Sequence, residues 1–589
     1  DKTLTEKLGL KTKEQIKLFL TFCQLAGHPT MYDVLPQTGR YSRTVLSKPF
    51  IARWFDIKEL NRKLKIDLDD ISQSLETFEN AELVKQIKHI ISDSLDGDSE
   101  NIPQEGSDIE EKMEQMLDLY RKKYSEEMTS KLYQQELVNK VKKIITDELE
   151  LPENTTLKEE DFDHKHDKVI GTLINKGLWP SPGGAWCSSG IPVYKRMVSG
   201  GGFPLFDHFD VDGNDVTHMA NLDCQTPFFF VHLESGEYNQ TVIDFWCDFL
   251  VELQKEYNFD GFRIDHIDHI VDRVSQSHDG RPLSYRAPSK VLGTVSRILR
   301  QNNKHFGLLA EYMLWDRFYK EYHQDMGFDL LWGSDIVNQH MKNVKTILHE
   351  NEELKQYNSI FGANQSFLSI LKAYNNQDGE FREIDQYPGQ MEEEGALFKW
   401  FKLKFTPSGP LSERPIMFID GDESFTRTGI ERVIGTEGSL HRDNNIDFFR
   451  KFTAINNFAL NNILCRYGIS EIFHGNELES GLIAWYVKKL PEFGDDERLF
   501  IIANENPPKE VIRLLNDSNE LISVWKDYES VKNAQIWVPE GFVVVSEYIL
   551  PENNFIYIES LEIKNLEDCV FKFNELKPSE FHFYKIKRI

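Results

Sequence analysis

Cysteine is scarce in this sequence of 589 residues: there are six (Cys23, Cys187, Cys224, Cys247, Cys465, Cys569), scattered and without a CxxC pair. That spacing excludes a disulfide framework and a structural zinc site. Long apolar runs are absent as well, so no stretch reads as a transmembrane helix. No internal repeat stands out and no secretory leader is visible. The chain opens on Asp1 rather than methionine, so an upstream segment removed before the mature chain would escape notice. The cellular address stays open, on the side of the cytoplasm. Positive charge is in deficit, with 68 Lys and Arg against 96 Asp and Glu, a formal net charge of −28. Phosphate binding needs concentrated Lys and Arg, so the balance argues against nucleic acid as partner. A neutral or cationic ligand fits it, and so does simple solubility.

What the chain does have is core material, 40% hydrophobic residues of which many are aromatic. The length exceeds one ordinary core and predicts two or three domains. In "KTKEQIKLFLTFCQLAG", Ile16, Phe19, Leu20 and Cys23 recur at helical period. Thr12 and Gln15 have capping-box spacing, and Gly27 supplies a stop. "HPTMYDVLP" then predicts a buried strand. From Ile243 the same alternation resumes: "IDFWCDFLVELQKEY" and "SKVLGTVSRILRQNN" read as helices, "FDGFRID", "FGLLAEYM", "FDLLWG" and "PIMFID" as strands. Helix followed by buried strand is the rhythm of a parallel α/β architecture.

Two regions break this rhythm. From about 57 to 150, "ELVKQIKHIISDSL" and "KMEQMLDLYRKKYSEEMTSKLYQQELVNKVKKII" are amphipathic helices with charged outer faces, separated by the polar "DGDSENIPQEGSD". Residues 177–205 are rich in Gly, Pro and aromatics and predict long surface loops, in which Trp179, Trp186 and Tyr194 either stack on a sugar ring or pack on a rim. Trp315 and Trp332, near strand ends, read as core or as support for a site. "FDVDGNDVTH" alternates Asp210, Asp212 and Asn214 as a calcium loop does. Its Gly213 comes too early for that motif, and a polar turn is the better reading. After about Leu478, "GLIAWYVKKL", "RLFIIANE", "QIWVPEGFVVVSEYIL", "NNFIYIESLEI" and "FHFYKIKRI" alternate with period two and predict an antiparallel domain.

The densest chemistry lies in "DGFRIDHIDH", Asp260 to His269. Arg263 and Asp265 stand two apart on a strand, so their side chains share a face. An arginine there is expected to lower the pKa of the aspartate and hold it ionised, which suits a nucleophile. On the next strand "FGLLAEYM" ends at Glu311 among Leu308, Leu309 and Tyr312, surroundings expected to raise a carboxyl pKa and suit a general acid. One ionised and one protonated carboxyl face to face is the arrangement of glycoside cleavage. An ordinary buried ion pair is the alternative for Arg263 and Asp265 taken alone.

These residues match a family. "GFRIDHIDH" resembles the fourth-strand signature of the α-amylase family (glycoside hydrolase family 13), Gly-Phe-Arg-x-Asp with His four residues on. "LLAEYMLW" resembles its fifth-strand signature, "MANLD" (219–223) its Leu-Pro-Asp-Leu-Asn motif, and "MYDVLPQTG" its third-strand signature. The resemblance implies a TIM-type (β/α)8 barrel and a retaining enzyme acting on α-linked glucosides, hydrolase or transglycosylase. It implies Asp265 as nucleophile, Glu311 as acid/base, Arg263 orienting Asp265, Asp33 binding sugar in the first subsite and His269 touching substrate, with His266 and Asp268 beside it. The implied organisation is barrel over 1–56, a helical and loop insertion over 57–205, barrel over 206–478, and a C-terminal β-sandwich over 479–589.

Three departures qualify the match. Gln37 and Thr38 stand where the family has Asn and His, which puts its structural calcium in doubt; the chemistry itself implies no cofactor. The seventh-strand signature is best matched by "MFIDGDESF", where the third carboxylate is Glu423 in register or Asp422 one residue earlier, with Asp420 also open. The third-strand signature also ends near Asp33, far too early, so the first two barrel strands are expected upstream or on a companion chain. Two rival readings remain at this level. One is a non-catalytic carbohydrate-binding scaffold that kept the barrel; the other is a metal-dependent hydrolase using His266 and His269.

Overall fold

The computed structural model describes chiefly residues 9–56, 130–180, 237–265, 283–311, 319–332, 343–373, 393–417, 445–475, 481–550 and 570–589, less a few positions inside these stretches and with short pieces elsewhere, Ile267 among them. They divide into two compact units: Asp1–Glu311 with Lys320–Phe328, and Tyr312–Tyr319 with Asp329–Ile589. No helix among the described residues is long and apolar enough to cross a membrane.

The first unit opens with α1 (Thr12–Leu25), as the periodicity predicts. Its cap differs from the expected one. Lys11, not Thr12, takes the N-cap place, and its backbone N–H donates to Glu14 Oε2 at 2.8 Å, so Glu14 fills the role assigned to Gln15. Gly27 ends the helix with φ +77°, a left-handed conformation that a side chain would strain. Then come β1 (Met31–Val34), α2 (Lys131–Leu149), α3 (His166–Asn175), α4 (Gln240–Tyr257), β2 (Gly261–Ile264), α5 (Leu283–Asn302) and β3 (Gly307–Glu311).

β1, β2 and β3 run parallel, with Met31 opposite Gly261 and Gly261 opposite Gly307. All four residues of β2 are buried, as a central strand covered on both faces requires. α4 buries Val242, Ile243, Trp246 and Leu250, and α5 buries Val291, Leu292, Val295 and Leu299. Those spacings of three and four residues produce one apolar stripe per helix. β1 departs from expectation, because only Val34 is buried while Met31, Tyr32 and Asp33 are exposed. Among the described residues it is the end strand of the run, with a neighbour on one side.

Between β1 and α4, α2 buries Leu137, Val141, Ile145 and Leu149 and keeps its charges outside. Its Gln134 side chain bonds both backbone groups of Trp54, at 2.9 Å each, and so fixes a short antiparallel pair of Trp54–Asp56 with Leu178–Pro180. Trp179 lies in that pair and is buried, which rules it out as a sugar-stacking surface. Trp186 and Tyr194 lie outside the described residues, as does the calcium-like stretch at 210–215.

The second unit begins with a parallel run of β4 (Leu330–Trp332), β5 (Ser369–Ala373) and β6 (Ile416–Met417). Its helices are α6 (Val344–Phe361), α7 (Glu393–Lys404) and α8 (Ile446–Asn461). Trp332 is buried in this unit's interior, as expected. A five-stranded antiparallel sheet follows, in the order β7 (Ile469–Gly475), β8 (Leu482–Lys488), β9 (Glu497–Asn504), β13 (Phe581–Arg588), β11 (Phe542–Tyr548); β10 (Val531–Trp537) pairs with β12 (Val570–Leu576) beside it.

Period two explains how this sheet is covered. Ile483, Trp485, Val487, Leu499 and Ile501 face one way, into a core shared with Trp400, Phe401, Phe405 and Phe452 of the helical part. Leu482, Ala484, Phe500 and Ile502 face the other way, onto Ala534, Ile536 and Phe571 of the β10–β12 pair. Both faces of β8 and β9 are covered, so these two central strands are apolar nearly throughout where period-two alternation was expected. Lys372, buried in β5, donates to Leu403 O at 3.1 Å and Thr406 O at 2.7 Å, satisfying carbonyls at the α7 C-terminus.

Candidate active site

Asp260, the first residue of the dense stretch, organises the strand entries. Its Oδ2 accepts from Thr30 N at 2.8 Å and Thr30 Oγ1 at 3.3 Å. Its backbone N–H donates to Thr30 O at 2.8 Å, and its carbonyl accepts from Gly307 N at 3.0 Å. One residue thus ties together the starts of β1, β2 and β3. At the far end Asp265 N donates to Val34 O at 3.0 Å, extending the ladder one residue past β2. The carboxyl of Asp265 therefore leaves the C-terminal end of β2 from a backbone held at both ends.

Arg263 lies on the face predicted from its two-residue spacing, and its guanidinium gathers three carboxyl groups. Nη1 donates to Asp33 Oδ1 at 2.8 Å and to Asp265 Oδ1, and Nη2 lies 2.8 Å from Glu311 Oε1. Asp33 stands opposite Arg263 in the β1–β2 register, and Glu311 is the last residue of β3. Arg263, Asp265 and Glu311 are 7%, 6% and 4% exposed, whereas the Asp33 side chain is 57% exposed. Two buried carboxyls and one solvent-facing carboxylate therefore share a single cation.

The electrostatics correct one expectation. Burial pushes the Asp265 carboxyl above the ordinary aspartate range; a hydrogen bond with Glu311 and the charge of Arg263 pull it back without cancelling the rise, to which Asp33 adds. Arginine was expected to dominate here, but desolvation disfavours the charged form more strongly. Arg263 itself is raised: burial works against its charge, and Glu311, Asp265 and Asp33 outweigh burial. Arg263 contacts both Asp265 and Glu311, so the two carboxyls are coupled through one cation.

His266, Asp268, His269, Asp420, Asp422 and Glu423 lie outside the described residues, as do the "MANLD" stretch and Trp315. Among the described residues no group of three or more His, Cys, Asp or Glu is placed to hold a metal ion. Cys247, Cys465 and Cys23 are free; burial pushes the Cys247 thiol to about 11 and raises Cys465 further, so neither is a thiolate nucleophile. Sequence reasoning missed the Asp260–Thr30 clasp. Aspartate just ahead of a glycine that starts a strand is the available signal, but its partner lies 230 residues away.

No protein-family model and no curated protein matches the chain. Solved structures do. The chain resembles enzymes of the α-amylase family. An Anoxybacillus α-amylase matches with a TM-score of 0.32 and 14% identity, over 60% of this chain and 64% of that one. A pullulanase from Bacillus acidopullulyticus matches with a TM-score of 0.35 and 12% identity, over 64% of this chain and 43% of that one. A debranching enzyme from Nostoc punctiforme matches with a TM-score of 0.33 and 12% identity, over 95% of this chain and 98% of that one. The match spans less than two thirds of the length of the first of these α-amylases and of the pullulanase. At such identity and overlap, the chemistry has to be read from this chain's own residues.

Proposed function

We propose that this chain is a retaining glycosidase or transglycosylase acting on α-linked glucosides. One observation carries the reading: the buried carboxyls of Asp265 and Glu311, at the ends of neighbouring parallel strands, are held by one guanidinium. A pair holding one proton between them supplies the two forms that glycoside cleavage needs. In the first step Asp265 attacks the anomeric carbon, the glycosidic C–O bond breaks, and Glu311 gives its proton to the leaving oxygen. In the second, water or a sugar hydroxyl passes its proton to Glu311 and displaces Asp265 from the same carbon. Water as acceptor yields hydrolysis and a sugar yields a longer chain. Neither step draws on a metal or cofactor.

The retaining geometry places the carboxyls about 5–5.5 Å apart. Arg263 holds both groups from separate nitrogens and so fixes the two carboxyls relative to one another. Asp33, charged and exposed beside them, supplies an acceptor for sugar hydroxyls. His266, Asp268 and His269 belong to the same proposed site by the order of the signature, and Asp422 or Glu423 to its transition-state carboxylate.

The deciding experiment is product release from maltooligosaccharides and glycogen, with products separated by length, for this protein and Asp265→Asn. Activity that disappears in the variant is expected, and products longer than the substrates identify a transferase. Sugar binding without turnover in either protein overturns the reading in favour of a carbohydrate-binding scaffold.

A further inference from the structure

The backbone bonds of a parallel pair repeat evenly, so a two-residue slip of β1 along β2 would remake them and keep every side chain on its own face. Neither the ladder nor the alternation of faces therefore decides which residue of β1 stands beside Arg263. In the observed register that residue is Asp33. A slip of two would put Met31 or Leu35 there, and the guanidinium would lose one of its three carboxyl partners.

Side chains have to make the choice. The Asp33–Arg263 ion pair is a weak candidate, because the Asp33 side chain is 57% exposed and ion pairs of exposed groups contribute little. That pair follows the register and does not set it. The clasp at the strand entries is stronger. Asp260 and Thr30 are both half-buried, and one carboxylate oxygen of Asp260 accepts from Thr30 N at 2.8 Å and from Thr30 Oγ1 at 3.3 Å. Charge-assisted bonds of this kind are stronger than neutral ones. The same slips would bring His28 or Tyr32 opposite Asp260. The His28 N–H already donates to Cys23 O at 2.9 Å, and Tyr32 carries no hydroxyl beside its N–H. Either slip gives up part or all of the clasp.

We propose that Asp260 is a positioning residue of the site: its clasp on Thr30 keeps β1 in the register that delivers Asp33 to Arg263. Asp260 stands three residues before Arg263, about 10 Å back along the strand, and acts through β1 rather than on a substrate. Among the described residues, Asp265 is faced by Arg263 of its own strand, Asp33 of β1 and Glu311 of β3. Asp33 pushes the Asp265 carboxyl upward and shares Arg263 Nη1 with it. Withdrawing Asp33 removes that push and frees the shared nitrogen, so Asp265 then titrates lower.

Two readouts test this. One is the titration of the Asp265 carboxyl by its carbon-13 resonance, identified through Asp265→Asn; the other is kcat/KM on maltooligosaccharides against pH. The kinetic readout rests on the glycosidase reading and the carbon-13 readout does not. In Asp260→Ala the Asp265 titration and the acid limb are expected to move down as they do in Asp33→Asn. At neutral pH kcat/KM is expected to fall roughly tenfold in each, as loss of one hydrogen bond to a charged group does. The double variant is expected to go no further, because either change already removes what the other acts on. Asp260→Asn keeps an oxygen for Thr30 N and is expected to restore the wild-type values. Thr30→Val, which removes only the hydroxyl bond, is expected to shift the titration the same way by less, and it decides the matter if Asp260→Ala does not fold. Effects of Asp260→Ala and Asp33→Asn that add overturn the proposal, as do equal shifts in Asp260→Ala and Asp260→Asn, which would assign the effect to charge. A lowered thermal midpoint with the Asp265 titration unmoved also overturns it and leaves Asp260 a purely structural group. Sugar binding without turnover in the wild type overturns the glycosidase reading alone, and the carbon-13 titration still decides the clasp.

Discussion

Asp265 is pulled two ways, upward by burial and by Asp33, downward by Glu311 and Arg263, and the upward pull prevails. For a carboxyl whose pKa is raised in the folded protein, the charged form is the disfavoured one. Stability then falls as pH rises from the unfolded toward the folded value and is level above it. Activity moves the opposite way, because attack on the anomeric carbon needs the ionised aspartate. The acid limb of the kcat/KM profile is therefore expected above the ordinary aspartate range. A kcat/KM profile already level through the ordinary carboxylate range would show that Arg263, and not burial, controls the site. The spacing of Arg263 and Asp265 made their shared face legible in the sequence. The winner between burial and arginine was not, because burial is set by elements far away in the chain.

At the scale of single elements, the close approach of β2 and β3 turns on Gly261. A Cβ there would lie 2.5 Å from Gly307 O and 2.7 Å from Met31 Cε. The methionine end can swing aside, but the backbone oxygen belongs to the neighbouring strand and cannot. Gly261→Ala is expected to cost about 1–3 kcal/mol, the range of overpacking in a dense interior, read as a lowered denaturant midpoint. Gly307→Ala, whose Cβ would meet only Met31 Cε at 3.7 Å, serves as the matched control and should cost less. Equal losses at the two positions would rule out the steric account. Strand identities here were readable from short apolar runs bounded by Asp, Gly and Asn. That Met31, Tyr32 and Asp33 of β1 would be exposed was not readable, since "MYDV" looks the same on a covered strand.

For the molecule as a whole, the C-terminal sheet does not enclose a core of its own on both faces. Trp485 of β8 is fully buried, packs into the core that contains Phe401 and Phe452, and donates from Nε1 to Phe405 O at 2.9 Å. Trp485→Ala is expected to cost about 3–5 kcal/mol, as truncation of a buried aromatic does. Amide exchange should then rise together in α7 and in β8. Loosening of β8 with α7 unchanged would show instead that the sheet folds as a separate domain.

Local pattern alone determined the helix at α1, the strands β2 and β3, the shared face of Arg263 and Asp265, and the period-two strands near the C-terminus. Each of these depends on residues a few positions apart, where backbone geometry is enough. Tertiary structure alone decided that Glu311 meets Arg263, that Asp260 clasps Thr30, that Trp179 is core, and that Met31, Tyr32 and Asp33 of β1 are exposed. Those outcomes depend on pairs separated by tens to hundreds of residues. Their free energies come from burial and from a shared cation, which exist only once the strands lie side by side.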